Sequence, residues 1–314
     1  MKITLDLSKL VQQGKLTPAE ADRLKGLAAH DTGALGINIL VGFGVVAVAA
    51  GLGALVPNIA TAFVIGAALF ALGLGLTLTR AQQWWLLAQI CTVAGALIFC
   101  GALLTYYVGA LHALLIVTAL LAVGGIVARS GLLIAASVIA LGACLGAKAG
   151  YWHATYALAI YEPLMTVVLF SALALATFWL SHRLPADYER LALMASRTSV
   201  LMVNFGFWIG SLWGDRLLLL RGLTRADRPE VVIPDWAFGV GWAVALIAIG
   251  VWGVRANRRW VVNVAAVFGA IHFYAQWFER LGADPLTVLL AGLITLGCAL
   301  ALWRFNRAMA DGSN

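Results

Sequence analysis

The chain has 314 residues, 62% of them hydrophobic and 11% charged, with a mean hydropathy of +0.94. So little polar surface cannot solvate a globule of this size, which excludes a soluble two-domain reading and makes lipid the expected solvent. The net charge of +7 does not point to nucleic acid, because the basic residues lie in short loops beside apolar runs rather than on one soluble face.

Long unbroken apolar runs such as Ile39 to Val56 show no strand-like alternation, so the expected fold is all-α, a polytopic membrane bundle rather than a barrel. The 33 glycines fit that expectation, since small residues let helix backbones approach closely in lipid. The charged N-terminus and the late start of the first apolar run do not resemble a cleavable signal peptide, so the first span is expected to act as the insertion signal.

In chain order, residues 1–32 predict a cytoplasmic amphipathic helical hairpin. Gly14 closes one helix, and Thr17-Pro18-Ala19-Glu20 opens the next with an N-cap, a proline at N1 and a capping box. Residues 33–308 predict the bundle. About 20 apolar residues cross the hydrocarbon, which places spans at 34–56, 59–79, 84–107, 110–128, 131–147, 163–181, 198–214, 236–254, 261–280 and 285–303. Residues 309–314 are a cytoplasmic tail. Ten spans put both termini on one side, and that side then holds 15 of the 21 Lys and Arg residues, which makes it the cytoplasm. Tryptophans fall near span ends, all except Trp208 and Trp242, where an amphipathic ring is most favourable. The aromatic stretch 149–162 is too short to span as a helix and is expected to be interfacial or re-entrant.

The leader Leu10-Val11-x-x-Gly14-x-Leu16-Thr17-x-x-Glu20-Ala21 and the Gly-rich first span resemble the bacterial membrane family known as domain of unknown function 2157. Asn263, HFYAQWFERLG and the ending Leu302-Trp303-Arg304 are similar to that family's closing helix pair. The likeness covers the first sixty or so and last fifty or so residues, and departs from the pattern at Val56-Pro57-Asn58. It implies a multi-pass protein of the bacterial inner membrane and carries no activity or cofactor with it.

The candidate chemistry sits mainly in the ninth span. His272 falls near the bilayer midplane, and Gln276 and Glu279 follow at i+4 and i+7, within an arc of about 60° on one helix face. An ionisable group at that depth is a candidate for a substrate contact or relay; the plainer alternative is one interhelical hydrogen bond. Lys148 and Glu162 are the second candidate, a pair across the aromatic segment that serves as a gate or headgroup contact, or simply as an interfacial ion pair. Asn38, Gln89, Thr92 and Asn204 read as interhelical glue. The glycine ladders 142-146-150 and 206-210-214 read as tight crossings.

The sequence holds no HExxH, GxSxG, Walker loop or Cys/His ligand cluster, and the four cysteines fall inside spans as packing residues, so no enzyme activity, metal or cofactor is called for. The leading expectation is a bundle that binds or translocates a small apolar or amphipathic solute or a lipid. Its rival is a non-catalytic scaffold or sensor for an envelope protein partner. A third, an outer-interface enzyme, would need Glu162, His153 and Glu279 to converge.

Overall fold

The computed structural model describes residues 7–12, 14–79, 84–152, 155–216, 233–282 and 284–311. The described chain is helical apart from one short hairpin, and six helices are long and apolar enough to cross a membrane, which defines a multi-pass membrane protein. It forms two compact units, Met1–Ser137 and Val138–Asn314.

The first unit opens with α1 (Leu7–Gln12), turns through Gly14 in the left-handed region (φ 66°), and enters α2 (Pro18–Leu55). The capping box forms as its sequence predicts: the Thr17 hydroxyl accepts from the Glu20 N–H, and a Glu20 carboxylate oxygen accepts from the Thr17 N–H at 2.9 Å. The expected boundary between hairpin and bundle at residues 32 and 33 falls inside α2, which runs through it without a break. At 1.5 Å per residue its 38 residues extend about 57 Å, roughly twice the thickness of the hydrocarbon core.

Helices α3 (Ile59–Leu78) and α4 (Trp85–Tyr106) pack antiparallel, backbone against backbone. A Cβ on Gly66 would lie 2.6 Å from the Phe99 nitrogen, one on Gly73 would lie 2.8 Å from the Ala88 carbonyl, and one on Gly95 would run into the backbone of Phe70. Helix α5 (Leu111–Val127) joins α4 through Gln89, whose amide donates to the Ala128 carbonyl at 2.8 Å. Helix α6 (Gly131–Cys144) follows.

The second unit keeps to the all-helical plan apart from one short element. Residues expected to be interfacial or re-entrant form an antiparallel hairpin, β1 (Lys148–Trp152) and β2 (Thr155–Ala159), with Tyr151 opposite Tyr156. Because α6 stops at Cys144 and Gly150 lies in β1, the ladder 142-146-150 is not one helix face. A two-stranded ribbon satisfies part of its own backbone, which an unpaired coil at a membrane surface cannot do.

Four antiparallel turns of the chain then build α7 (Pro163–Ser181), α8 (Ala186–Trp213), α9 (Asp235–Arg255), α10 (Arg259–Leu281) and α11 (Pro285–Asp311). Helix α8 begins twelve residues before the expected span, with a charged first turn carrying Asp187 and Glu189. The ladder 206-210-214 does serve close approach. A Cβ on Gly206 would meet α7, one on Gly210 would meet the Phe238 ring of α9, and one on Gly214 would meet the Ile233 carbonyl.

Two predictions follow from these contacts. Gly95→Ala puts a methyl group into backbone that cannot rotate away and should destabilise the protein by about 1–3 kcal/mol, whereas Gly101→Ala, with open space at its Cβ, should stay within about 0.5 kcal/mol. Unfolding midpoints in detergent test this, and equal midpoints for the two variants would refute the close approach. At the leader, hydrogen bonds from the Thr17 backbone and hydroxyl hold the Glu20 carboxyl below the usual carboxylate range. A depressed carboxylate contributes stability above its unfolded pKa and loses it as pH falls through the folded value. Amide exchange in the first turn of α2, corrected for intrinsic rates, should therefore lose protection on acidification, and Thr17→Ala should flatten that response.

Candidate functional site

The polar heart of the second unit is held by α8, α9 and α10. The Trp242 side chain is fully buried, and its Nε1–H donates to Asn204 Oδ1 at 2.9 Å; the Asn204 amide in turn donates to the Val200 carbonyl at 2.8 Å. Asn204 is thus interhelical glue, as expected, and Trp242 is a central residue rather than an interface one. The His272 ring stands edge-on to Trp242, with centroids 5.0 Å apart, and Phe268 closes the same aromatic wall. His272 Nδ1 is buried and meets no hydrogen-bond partner among the described residues. Gln276 reaches the Ser211 carbonyl at 3.5 Å and lies over Gly239.

The expected stripe of His272, Gln276 and Glu279 is therefore divided. His272 and Gln276 are packed toward α8 and α9, while Glu279 is exposed and borders an open groove of about 730 Å³. Trp208 and Leu212 of α8 form one wall of the groove, and Val267, Ile271, Tyr274, Ala275 and Phe278 of α10 form the other. The Tyr274 hydroxyl accepts from Thr295 of α11 at 2.8 Å, and its ring stacks on Phe278, so this wall is rigid. His272 does not line the groove. A second groove, in the first unit between α2 and α3, is lined wholly by apolar residues and glycine, including Val45, Leu52 and Leu69.

The other expected pair, Lys148 and Glu162, lies partly outside the described residues. Lys148 opens β1, and its side chain, like His153, lies outside the described residues. Glu162 is buried at the N-cap of α7, where its carbonyl accepts from the Thr166 hydroxyl at 2.8 Å.

The residue that sequence reasoning overlooked is Asp215. Only 2% exposed, it places Oδ2 2.7 Å from the Leu164 N–H and so caps α7 from across the chain, while its backbone pairs with Ile233. Its signal in the sequence was its place directly after Gly214, where a left-handed turn (φ 68°) ends α8 and turns the next carboxylate back into the protein.

Among the described residues no group of three or more His, Cys, Asp or Glu could hold a metal ion. Comparison with protein-family models, curated proteins and solved structures gives no match.

Removing the Asp215 carboxylate leaves a helix-terminal N–H without its acceptor. Asp215→Ala should lower stability by about 1–2 kcal/mol, and Asp215→Asn, which keeps an acceptor oxygen, by clearly less. Thermal unfolding in detergent measures both, and equal losses would rule out the capping role.

Proposed function

We propose that this chain is a ten-span protein of the bacterial inner membrane, with both termini in the cytoplasm, and that it binds a small amphipathic solute or lipid along the groove between α8 and α10. The ten-span count draws support from four further apolar helical stretches, Leu40–Leu55, Leu111–Val127, Gly131–Cys144 and Pro285–Leu300, beside the six longer helices. The orientation rests on the excess of Lys and Arg on one side.

The observation that carries the binding reading is the groove's composition. It offers a long apolar wall, Val267, Ile271 and Phe278 facing Trp208 and Leu212, with a single carboxylate, Glu279, at one end. An apolar body fills such a wall by dispersion and area burial, and a polar head finds its partners only beyond the wall's ends. His272 takes no direct part in this reading. It orders the opposite face of α10 against Trp242 and thereby fixes the face that lines the groove.

One observation favours the scaffold or sensor reading as well: α2 is a single helix from the capped leader to Leu55, able to carry force or orientation between a leader-bound partner and the first unit. A groove that binds nothing, in a protein that co-purifies with an envelope partner through residues 7–24, would favour that alternative.

A diazirine-bearing fatty acid offered to the purified protein should label α10 between Val267 and Glu279. Ala275→Trp, which fills the groove, should cut that labelling by about tenfold while leaving the unfolding midpoint within about 0.5 kcal/mol of the parent. Label spread evenly over α3, α9 and α11, whose apolar side chains are equally exposed, would defeat the reading.

A further inference from the structure

The end of the second unit opposite Glu279 is strongly basic. Arg183, Arg190, Arg197, Arg255, Arg258 and Arg259 lie there against Asp187 and Glu189, whereas the other end carries Glu162, Asp215, Asp235, Glu279 and Asp284 beside Arg216, Arg280 and Lys148. Topology accounts for the sign of this end, and Arg197 stands at its membrane edge, one residue before the span expected at 198–214. That residue lies in the twelfth position of α8, well inside the helix, and it is exposed. Its guanidinium carbon stands 5.1 Å from the centre of the Trp260 ring, in the first turn of α10. No side chain caps that first turn, and Arg258, exposed, occupies its N-cap.

Helices α8 and α10 run parallel here: Arg197 sits beside Trp260 and, further along, Ser211 beside Gln276. On α10, Trp260, Val267, Ile271, Tyr274 and Phe278 recur at helical spacing, so the residues of the groove wall continue the stripe that begins at Trp260. From Trp260 to Ile271 is eleven residues, about 16 Å. One leaflet of the hydrocarbon core is about 15 Å deep, half of the usual thickness. Tryptophan rings prefer the headgroup level, and an arginine one to three turns inside a helix end reaches that level by extending its side chain.

We propose that the groove's occupant is an anionic phospholipid, with its phosphate held by Arg197 and Arg258 beside Trp260 and an acyl chain lying along the α10 stripe as far as Ile271. This rests on the groove reading above and adds the headgroup class to it. Guanidinium suits the site because its planar fork meets two phosphate oxygens while its face stays on the indole, an arrangement that lysine cannot reproduce.

The test is native mass spectrometry of the delipidated full-length protein given dioleoyl phosphatidylglycerol or dioleoyl phosphatidylcholine. Phosphatidylglycerol should be retained about tenfold better, Arg197→Ala should bring it down to the phosphatidylcholine level, and Arg197→Lys should recover only part of the preference. Ile271→Trp and, as a second groove-filling variant, Val267→Trp should reduce retention of both lipids. A phosphatidylglycerol preference that survives Arg197→Ala, or one abolished by millimolar inorganic phosphate, overturns the headgroup assignment and leaves the groove standing. Retention of both lipids untouched by either groove variant overturns the groove reading, and this proposal with it.

Discussion

A polar atom carried into hydrocarbon finds a partner inside the protein or goes without one, because lipid offers none, and that constraint organises the rest of this structure. Most hydroxyls in the spans solve it locally by donating to a carbonyl one turn back: Thr77, Thr92, Thr118, Thr166, Thr177, Thr198 and Ser199 all do so at 2.7–3.0 Å. Such bonds cost no second helix and fix no tertiary contact. The few polar groups that do cross between helices therefore carry the specificity of the packing, among them Gln89 to Ala128, Ser196 to Ala174, Trp242 to Asn204, Gln276 to Ser211 and Thr295 to Tyr274. Among the described residues His272 Nδ1, buried beside Trp242, and Trp277 Nε1 meet no hydrogen-bond partner, at a cost of about 1–3 kcal/mol each where no water reaches them.

Where polar bonds are scarce, shape has to set the register, and glycine supplies the shape. In the first unit the α3 and α4 backbones meet at Gly66, Gly73 and Gly95, with Thr92 and Ala88 filling the small spaces between them. In the second unit Gly206 and Gly210 admit α7 and the Phe238 ring against α8. Dispersion falls away within an ångström of the ideal distance, so these approaches hold the helices only if no side chain intervenes. The arrangement around Asn204 and Trp242 depends on them, since α9 comes close enough for that bond only where Gly210 leaves room.

The sequence was legible where a physical period was strong and one-sided. Hydropathy located the apolar helices, the Thr17–Glu20 box marked the start of α2, and the spacing of Gly206 and Gly210 announced a crossing. It was less legible where two faces of one helix are both apolar. The close pair α3 and α4 carries its own stripe, Gly66 and Gly73 facing Ala88, Thr92 and Gly95, yet sequence alone does not say which helices meet. The hairpin β1–β2 was hidden because its residues, Lys148 to Ala159, are semi-apolar without a clear period. Asp215 was hidden because its partner, the Leu164 N–H, lies 51 residues away and is invisible to any local pattern.

The same limit explains why His272 drew attention that the groove then divided. A 60° arc on a helix is narrower than the reach of its side chains, so His272 and Glu279 share a stripe in projection and still address different surroundings. His272 is short and ring-shaped, and it is held by Trp242 on the α9 side. Glu279 is long and exposed, and it leans over the α8 side next to Phe278 and Ala275. Helix α10 thus has two working faces. One is locked by aromatic contact with α9 and by Gln276 packed over Gly239, and the other is left as an open apolar wall. A wall can be selective only if its own helix does not rotate, and each turn of α10 from Phe268 to Gln276 is pinned from behind by α8 or α9. The polar interior of the second unit therefore serves the groove without opening onto it, by holding one face of α10 fixed in the membrane.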